Sequence, residues 1–168
     1  MLAGQRVLLR PLREGDDERL LTIHRQPQVR RWWGDPDEGF PWSDEPELTR
    51  LAIEQGGELI GMIQFHEELT PRYRHAAIDL FLDARRHGRG FGSEAVALLV
   101  THLRERGHHR VTIDPAADNA AAIRCYEKAG FERVGVMRRY ERDVDSQQWH
   151  DSLLMELVCE PSAPSPGR

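Results

Sequence analysis

The chain has 168 residues, of which 39% are hydrophobic and 30% charged, and a formal net charge of −5. That length suits one domain with a proper core, and the acidic balance argues against nucleic acid as a partner, which favours a basic face. No apolar run is long enough to span a membrane, MLAGQRVLLRPL lacks the apolar centre of a signal peptide, and Cys125 and Cys159 suggest a reducing compartment rather than a disulfide scaffold, so the reading is cytoplasmic.

Residues 6–12, RVLLRPL, alternate and predict a strand, with Pro11 placing its end near a sheet edge. Residues 13–26 carry acids early and Leu20, Leu21 and Ile23 later, which reads as a helix; 27–34, PQVRRWWG, form a second short helix or turn. Residues 34–47 hold three prolines and six acids and no base, a loop. Gly56-Gly57 joins 48–55 to 58–67 as a hairpin, and 75–82, HAAIDLFL, is another strand. Phe91, Ala95, Leu98, Leu99 and Leu103 fall at helical spacing within 91–106, and Gly107 stops that helix. Residues 109–115 are a strand. Residues 118–130 are a helix capped by Asp118 or Asn119, with Gly130 past its end. Two last strands occupy 131–140 and 150–158. The expected domain is 1–160, followed by a Pro/Ser tail at 161–168 that is expected to be disordered. The order β-α-α-β-β-β-α-β-α-β-β is that of an α/β (α+β) domain. Its hairpins imply antiparallel pairing, and its βαβ pieces at 75–114 and 108–137 imply parallel pairing.

The stretch DARRHGRGFG, 83–92, packs Arg85, Arg86, Arg89, Gly88, Gly90 and Gly92 between a strand and a helix. Backbone N–H groups at such a helix start lack partners and converge on an anion, and glycines let a ligand approach. A Walker A loop needs Lys-Ser/Thr after its glycines, whereas Ser93-Glu94 follows here. A dinucleotide fingerprint needs G-x-G-x-x-G in a first βαβ unit, and this loop reads G-x-G-x-G after a hairpin region. A plain helix-start turn is the bland alternative.

Arg85-x-x-Gly88-x-Gly90, followed by Asn119, Tyr126 and Ala129-Gly130-Phe131 in DNAAAIRCYEKAGF, resembles the two signature segments of the GCN5-related N-acetyltransferases over roughly residues 5–158. The wording VLLRPLREGD, VRRWWG and AIDLFL is most similar to that of aminoglycoside 6'-N-acetyltransferases. The C-terminal YERDVDSQQWHDSLLMELV is more similar to acyltransferases of protein N-termini or small amines. The resemblance implies a mixed, twisted sheet of about seven strands with helices on both faces, splayed between the fourth and fifth strands. It implies acetyl-CoA as acyl donor, with pyrophosphate on the loop and pantetheine in the splay. The residues it assigns to the cofactor are Leu80, Phe81, Leu82, Arg85, Arg86, His87, Gly88, Arg89, Gly90, Phe91, Gly92, Ser93, Asn119 and Tyr126. It allows a homodimer, which no residue selects.

Direct transfer to an amine needs a group to remove the ammonium proton and a group to protonate the departing thiolate. Asp79, in an apolar strand where burial would raise its pKa, is the candidate base; facing solvent, pairing with an arginine, or only binding the ammonium are its other readings. Tyr126 is the candidate acid by resemblance, or a packed helix tyrosine. Asn119 touches pantetheine or caps its helix. Asp114 holds a substrate ammonium or starts a turn with Pro115. Trp32, Trp33 and Trp42 flank an acidic loop containing Asp35, Asp37, Glu38, Asp44, Glu45 and Glu47, a composition suited to a polycationic amine or to a solvated loop. HEELT lacks the second histidine of a zinc motif, and Cys125 has no histidine placed beside it by sequence. Three readings stand: an N-acetyltransferase for a small cationic amine such as an aminoglycoside; an acyltransferase for protein N-termini or other small amines; and a CoA-binding module without catalysis.

Overall fold

Residues 59–63 are buried without a break, as a strand covered on both faces requires, and the helices divide between those faces. The computed structural model describes residues 1–42 and 45–159, so Asp44 and the expected C-terminal tail lie outside the described residues. In chain order the elements are β1 (Leu2–Ala3), β2 (Leu8–Pro11), α1 (Asp16–His24), α2 (Pro27–Trp33), β3 (Leu48–Gln55), β4 (Glu58–Glu68), β5 (His75–Leu82), α3 (Phe91–Glu105), β6 (Arg110–Ile113), α4 (Ala120–Lys128), β7 (Glu132–Arg142) and β8 (Trp149–Val158), with a single 3₁₀ turn at Ala84–Arg86. Among the described residues the sheet has eight strands in the order β1-β2-β3-β4-β5-β6-β8-β7. The eighth is the two-residue β1, too short to show periodicity.

Gly56 and Gly57 both take positive φ, +59° and +81°, so Gln55 faces Glu58 across a two-residue hairpin that L side chains would strain. Only β5 and β6 run parallel among the described strand pairs. The parallel pairing expected within 108–137 does not form: β8 returns between β6 and β7 and pairs antiparallel with both. The β7–β8 hairpin can close locally, whereas a direct β6–β7 pair would leave β8 without an inner place.

Two cores sandwich the sheet. Val96, Leu99 and Leu103 of α3 and Ile123 and Tyr126 of α4 pack on one face against Ile60, Ile63 and Ile78. Leu20 and Ile23 of α1 and Val29 of α2 pack on the other against Met62 and Phe81. Asn119 caps α4 by accepting from the Ala122 amide at 3.1 Å, and Gly130, at φ +95°, ends it. Near the N-terminus Arg10 is 5% exposed and bridges Asp16 at 2.7 Å and Glu54 at 2.7 Å, locking β2 to α1 and β3.

Candidate active site

Strands β5 and β6 pair only at Ala76 with Val111 and Ala77 with Thr112. From Ile78 to Leu82, β5 pairs with β4 on one side and with no strand on the other. Backbone groups alternate along a strand. Ala76 turns its carbonyl toward Thr112, so Leu80 and Leu82 turn theirs toward the open side. The Leu80 carbonyl accepts from the Trp33 indole at 3.3 Å, and the Leu82 carbonyl meets the His87 imidazole at 2.9 Å. This is the splay expected between the fourth and fifth of the seven longer strands.

Past Leu82 the chain turns on Asp83, which is fully buried and accepts from the Arg85 amide at 3.0 Å, starting the 3₁₀ turn. The guanidinium of Arg85, at 2.6 Å, holds its carboxyl well below the usual range, with Gln26 and Arg19 adding to the effect. Gly88 and Gly90 then take φ +69° and +83°, a region that disfavours side chains, and α3 begins. Arg85 is thus engaged with Asp83, Arg86 with Glu58 and Gln55, and Arg89 lies 5.6 Å from the Phe91 ring centroid. Two of the loop's arginine side chains thus brace it, and the backbone N–H groups opening α3 have the arrangement that suits an anion.

A cavity of about 640 Å³ lies over the splay, within the size range of small-ligand sites. Its wall is formed by Trp32 and Trp33, the strand end 80–82, the loop residues from Arg86 to Ser93 except Arg89, and Asn119 and Tyr126 of the α4 region. Arg85, Arg89, Asp35, Asp79 and Asp114 are not part of that wall. Asn119 spends its carbonyl on the helix cap, leaving its amide group for the cavity.

Asp79 sits beside the cavity on β5, half-buried, and accepts from the Leu80 amide at 2.8 Å. Burial pushes its carboxyl up to about 7, with Asp114 and Glu141 adding to the rise and the Leu80 amide opposing it. Asp114, just past β6, is raised by burial and partly restored by the Tyr140 hydroxyl. Glu141 on β7 is raised by burial and by Asp114. Tyr126 is 5% exposed, and burial, then Asp79, Cys125 and Asp114, hold its hydroxyl well above the ordinary phenol range. The result is a carboxyl that is half ionised near neutrality next to a phenol that stays protonated. Cys125 lies 3.3 Å from Ser93 Oγ, and burial raises its thiol, the opposite of an activated nucleophile.

Trp32 and Trp33 diverge. Trp33 joins the α1–α2 core, edge-on to His24 and Phe81, while Trp32 carries the Arg31 guanidinium 4.5 Å from its ring centroid. Asp35, expected at the acceptor, is instead bound in two-point fashion by Arg30 at 2.6 and 3.1 Å, and the same guanidinium reaches Asp145 of the β7–β8 connection. Tyr140 and Glu141 were not anticipated: they reach Asp114 through the β7–β8 hairpin, which no local pattern announces.

The sequence profile described as "Acetyltransferase (GNAT) family" matches residues 10–131. An aminoglycoside N(6')-acetyltransferase type 1 of Klebsiella pneumoniae is 31% identical over 155 residues, covering 78% of this chain and 76% of that protein. The crystal structure of aminoglycoside acetyltransferase AAC(6')-Ib in complex with coenzyme A and kanamycin superposes with a TM-score of 0.74 at 27% identity, covering 90% of this chain and 94% of that one. A spermidine N-acetyltransferase from Vibrio cholerae, in complex with CoA and spermine, shares the fold with a TM-score of 0.77 at 17% identity, covering 94% and 98%. The profile runs from the buried Arg10 through the splay and the glycine loop to Phe131 beyond α4, and the chain belongs to the acetyltransferase (GNAT) family.

Proposed function

We propose that this protein transfers an acetyl group from acetyl-CoA directly to a primary amine of a small cationic acceptor, an aminoglycoside in the favoured reading. The observation that carries the reading is the cavity over the splay, walled by the glycine loop and by Tyr126 of α4, with Asp79 on the unpaired stretch of β5 beside it. An acceptor amine arrives as an ammonium ion, which Asp79, Asp114 and Glu141 attract. Ionised Asp79 takes one proton from it, freeing the nitrogen lone pair to attack the thioester carbonyl. The C–N bond forms, the C–S bond breaks, the Tyr126 hydroxyl supplies a proton to the departing sulfur, and the second proton lost from the acceptor nitrogen restores that hydroxyl, leaving the amide and the free thiol. The backbone N–H groups at the start of α3 suit the donor's pyrophosphate. The aminoglycoside reading is supported by the names of the Klebsiella pneumoniae relative and of the kanamycin complex.

The test is thiol release from acetyl-CoA against aminoglycosides, polyamines and short peptides. The reading expects turnover with an aminoglycoside. Turnover with spermidine alone keeps the small cationic class and removes the antibiotic. Turnover with peptides alone overturns the acceptor assignment.

A further inference from the structure

Arg6 lies in the segment between β1 and β2, 83 positions before the glycine loop it touches. Its Nη1 donates to the Arg89 carbonyl at 2.9 Å and its Nη2 to the Gly90 carbonyl at 3.3 Å. Its guanidinium carbon stands 5.1 Å from the Phe91 ring centroid. Nε donates to Glu94 at 2.8 Å, and the carboxylate of Glu94 also accepts from the Arg6 and Val7 amides at 2.7 and 3.2 Å. One side chain therefore holds two successive peptide groups of the loop and is itself fixed by the first turn of α3.

In a trans peptide the C=O and the following N–H point in opposite directions. Fixing the Arg89 and Gly90 carbonyls on the Arg6 side turns the Gly90 and Phe91 amides the other way. Gly90 and Phe91 line the cavity and Arg6 does not. A side chain on Gly90 would also press on Arg6, its Cβ falling 3.1 Å from Nη2.

We propose that Arg6 is a positioning residue for the donor's diphosphate: it orients the Gly90 and Phe91 N–H groups without touching the ligand. The proposal rests on the reading of acetyl-CoA as donor. It sets Arg6 apart from Arg85 and Arg86, whose guanidinium groups hold carboxylates rather than loop carbonyls.

The test compares two donors, acetyl-CoA and S-acetylpantetheine, which lacks the diphosphate and nucleotide. Wild type, Arg6→Met and Arg6→Lys are assayed with the best acceptor. Freed carbonyls should raise the KM for acetyl-CoA about tenfold in Arg6→Met, the scale of lost charge-assisted contacts, with kcat and the KM for acetylpantetheine moving less than twofold. Arg6→Lys keeps the charge but loses the planar fork, so it recovers less than half of the deficit. Equal losses with both donors, or a lysine variant indistinguishable from wild type, would overturn the positioning role. Should Arg6→Met fail to fold, Arg6→Lys with the two donors decides alone: an unchanged donor preference rejects the proposal. A wild type that treats both donors alike would instead sink the phosphate-site reading beneath it.

Discussion

The indole N–H of Trp33 donates to the backbone carbonyl of Leu80 at 3.3 Å, tying the end of α2 to the open edge of β5. Leu80 uses its own amide on Asp79, so a single residue couples the aromatic wall to the carboxylate proposed as base. Trp33→Phe keeps most of the ring and deletes the donor. It should lower stability by about 0.5–1.5 kcal/mol, the net worth of one hydrogen bond whose acceptor is left facing the cavity. Urea unfolding measures it; an unchanged midpoint would mean the bond contributes nothing.

Asp79 should cost stability once it is ionised. Its folded pKa lies above that of an unfolded aspartate, about 3.9, so ionisation is opposed in the folded state only. The penalty is absent below about pH 4, grows as pH rises, and is complete above the folded value of about 7. Asp79→Asn should therefore be more stable than wild type by about 1–3 kcal/mol at pH 8, with the gain shrinking at pH 5. A variant less stable than wild type at pH 8 would contradict the burial argument.

Asp83 carries the opposite sign. Arg85 and Arg19 hold it below the usual carboxylate range, so its contribution is present above about pH 4 and is lost as pH falls further. Asp83→Asn should cost about 1–3 kcal/mol at pH 7, and its deficit should narrow toward pH 3. Parallel pH–stability curves for the two proteins would show that the ion pairs add nothing.

Tyr126→Phe should lower kcat about 10²-fold, the usual scale for a positioned acid, while the KM for acetyl-CoA stays within twofold. The variant removes one oxygen from a buried ring, so circular dichroism should be unchanged. Full turnover in Tyr126→Phe would take the hydroxyl out of the mechanism.

Local signals carried much of this molecule. The alternation of HAAIDLFL, the glycines of the loop, the Asn119 cap and Gly56-Gly57 each act within a few residues, and each element formed where those patterns place it. What escaped was long-range. Nothing in RVLLRPL says that Arg6 will meet the carbonyls of residues 89 and 90. Nothing in the last two strands says that β8 inserts inside β7 and brings Tyr140 and Glu141 to Asp114. The arginines of the loop could be read as phosphate ligands because the partners that engage two of them, Asp83 and Glu58, are visible only in three dimensions.

The pH dependence of kcat/KM for thiol release, measured for wild type and Asp79→Asn with the best acceptor, tests the central claim most directly. Asp79 must be ionised to take the proton, so the wild-type rate should rise with pH through a midpoint near 7, below the titration of the acceptor amine. In Asp79→Asn that limb should vanish and kcat/KM should fall about 10²-fold or more. A limb that survives in Asp79→Asn at the same midpoint would assign the base to another group and contradict the account.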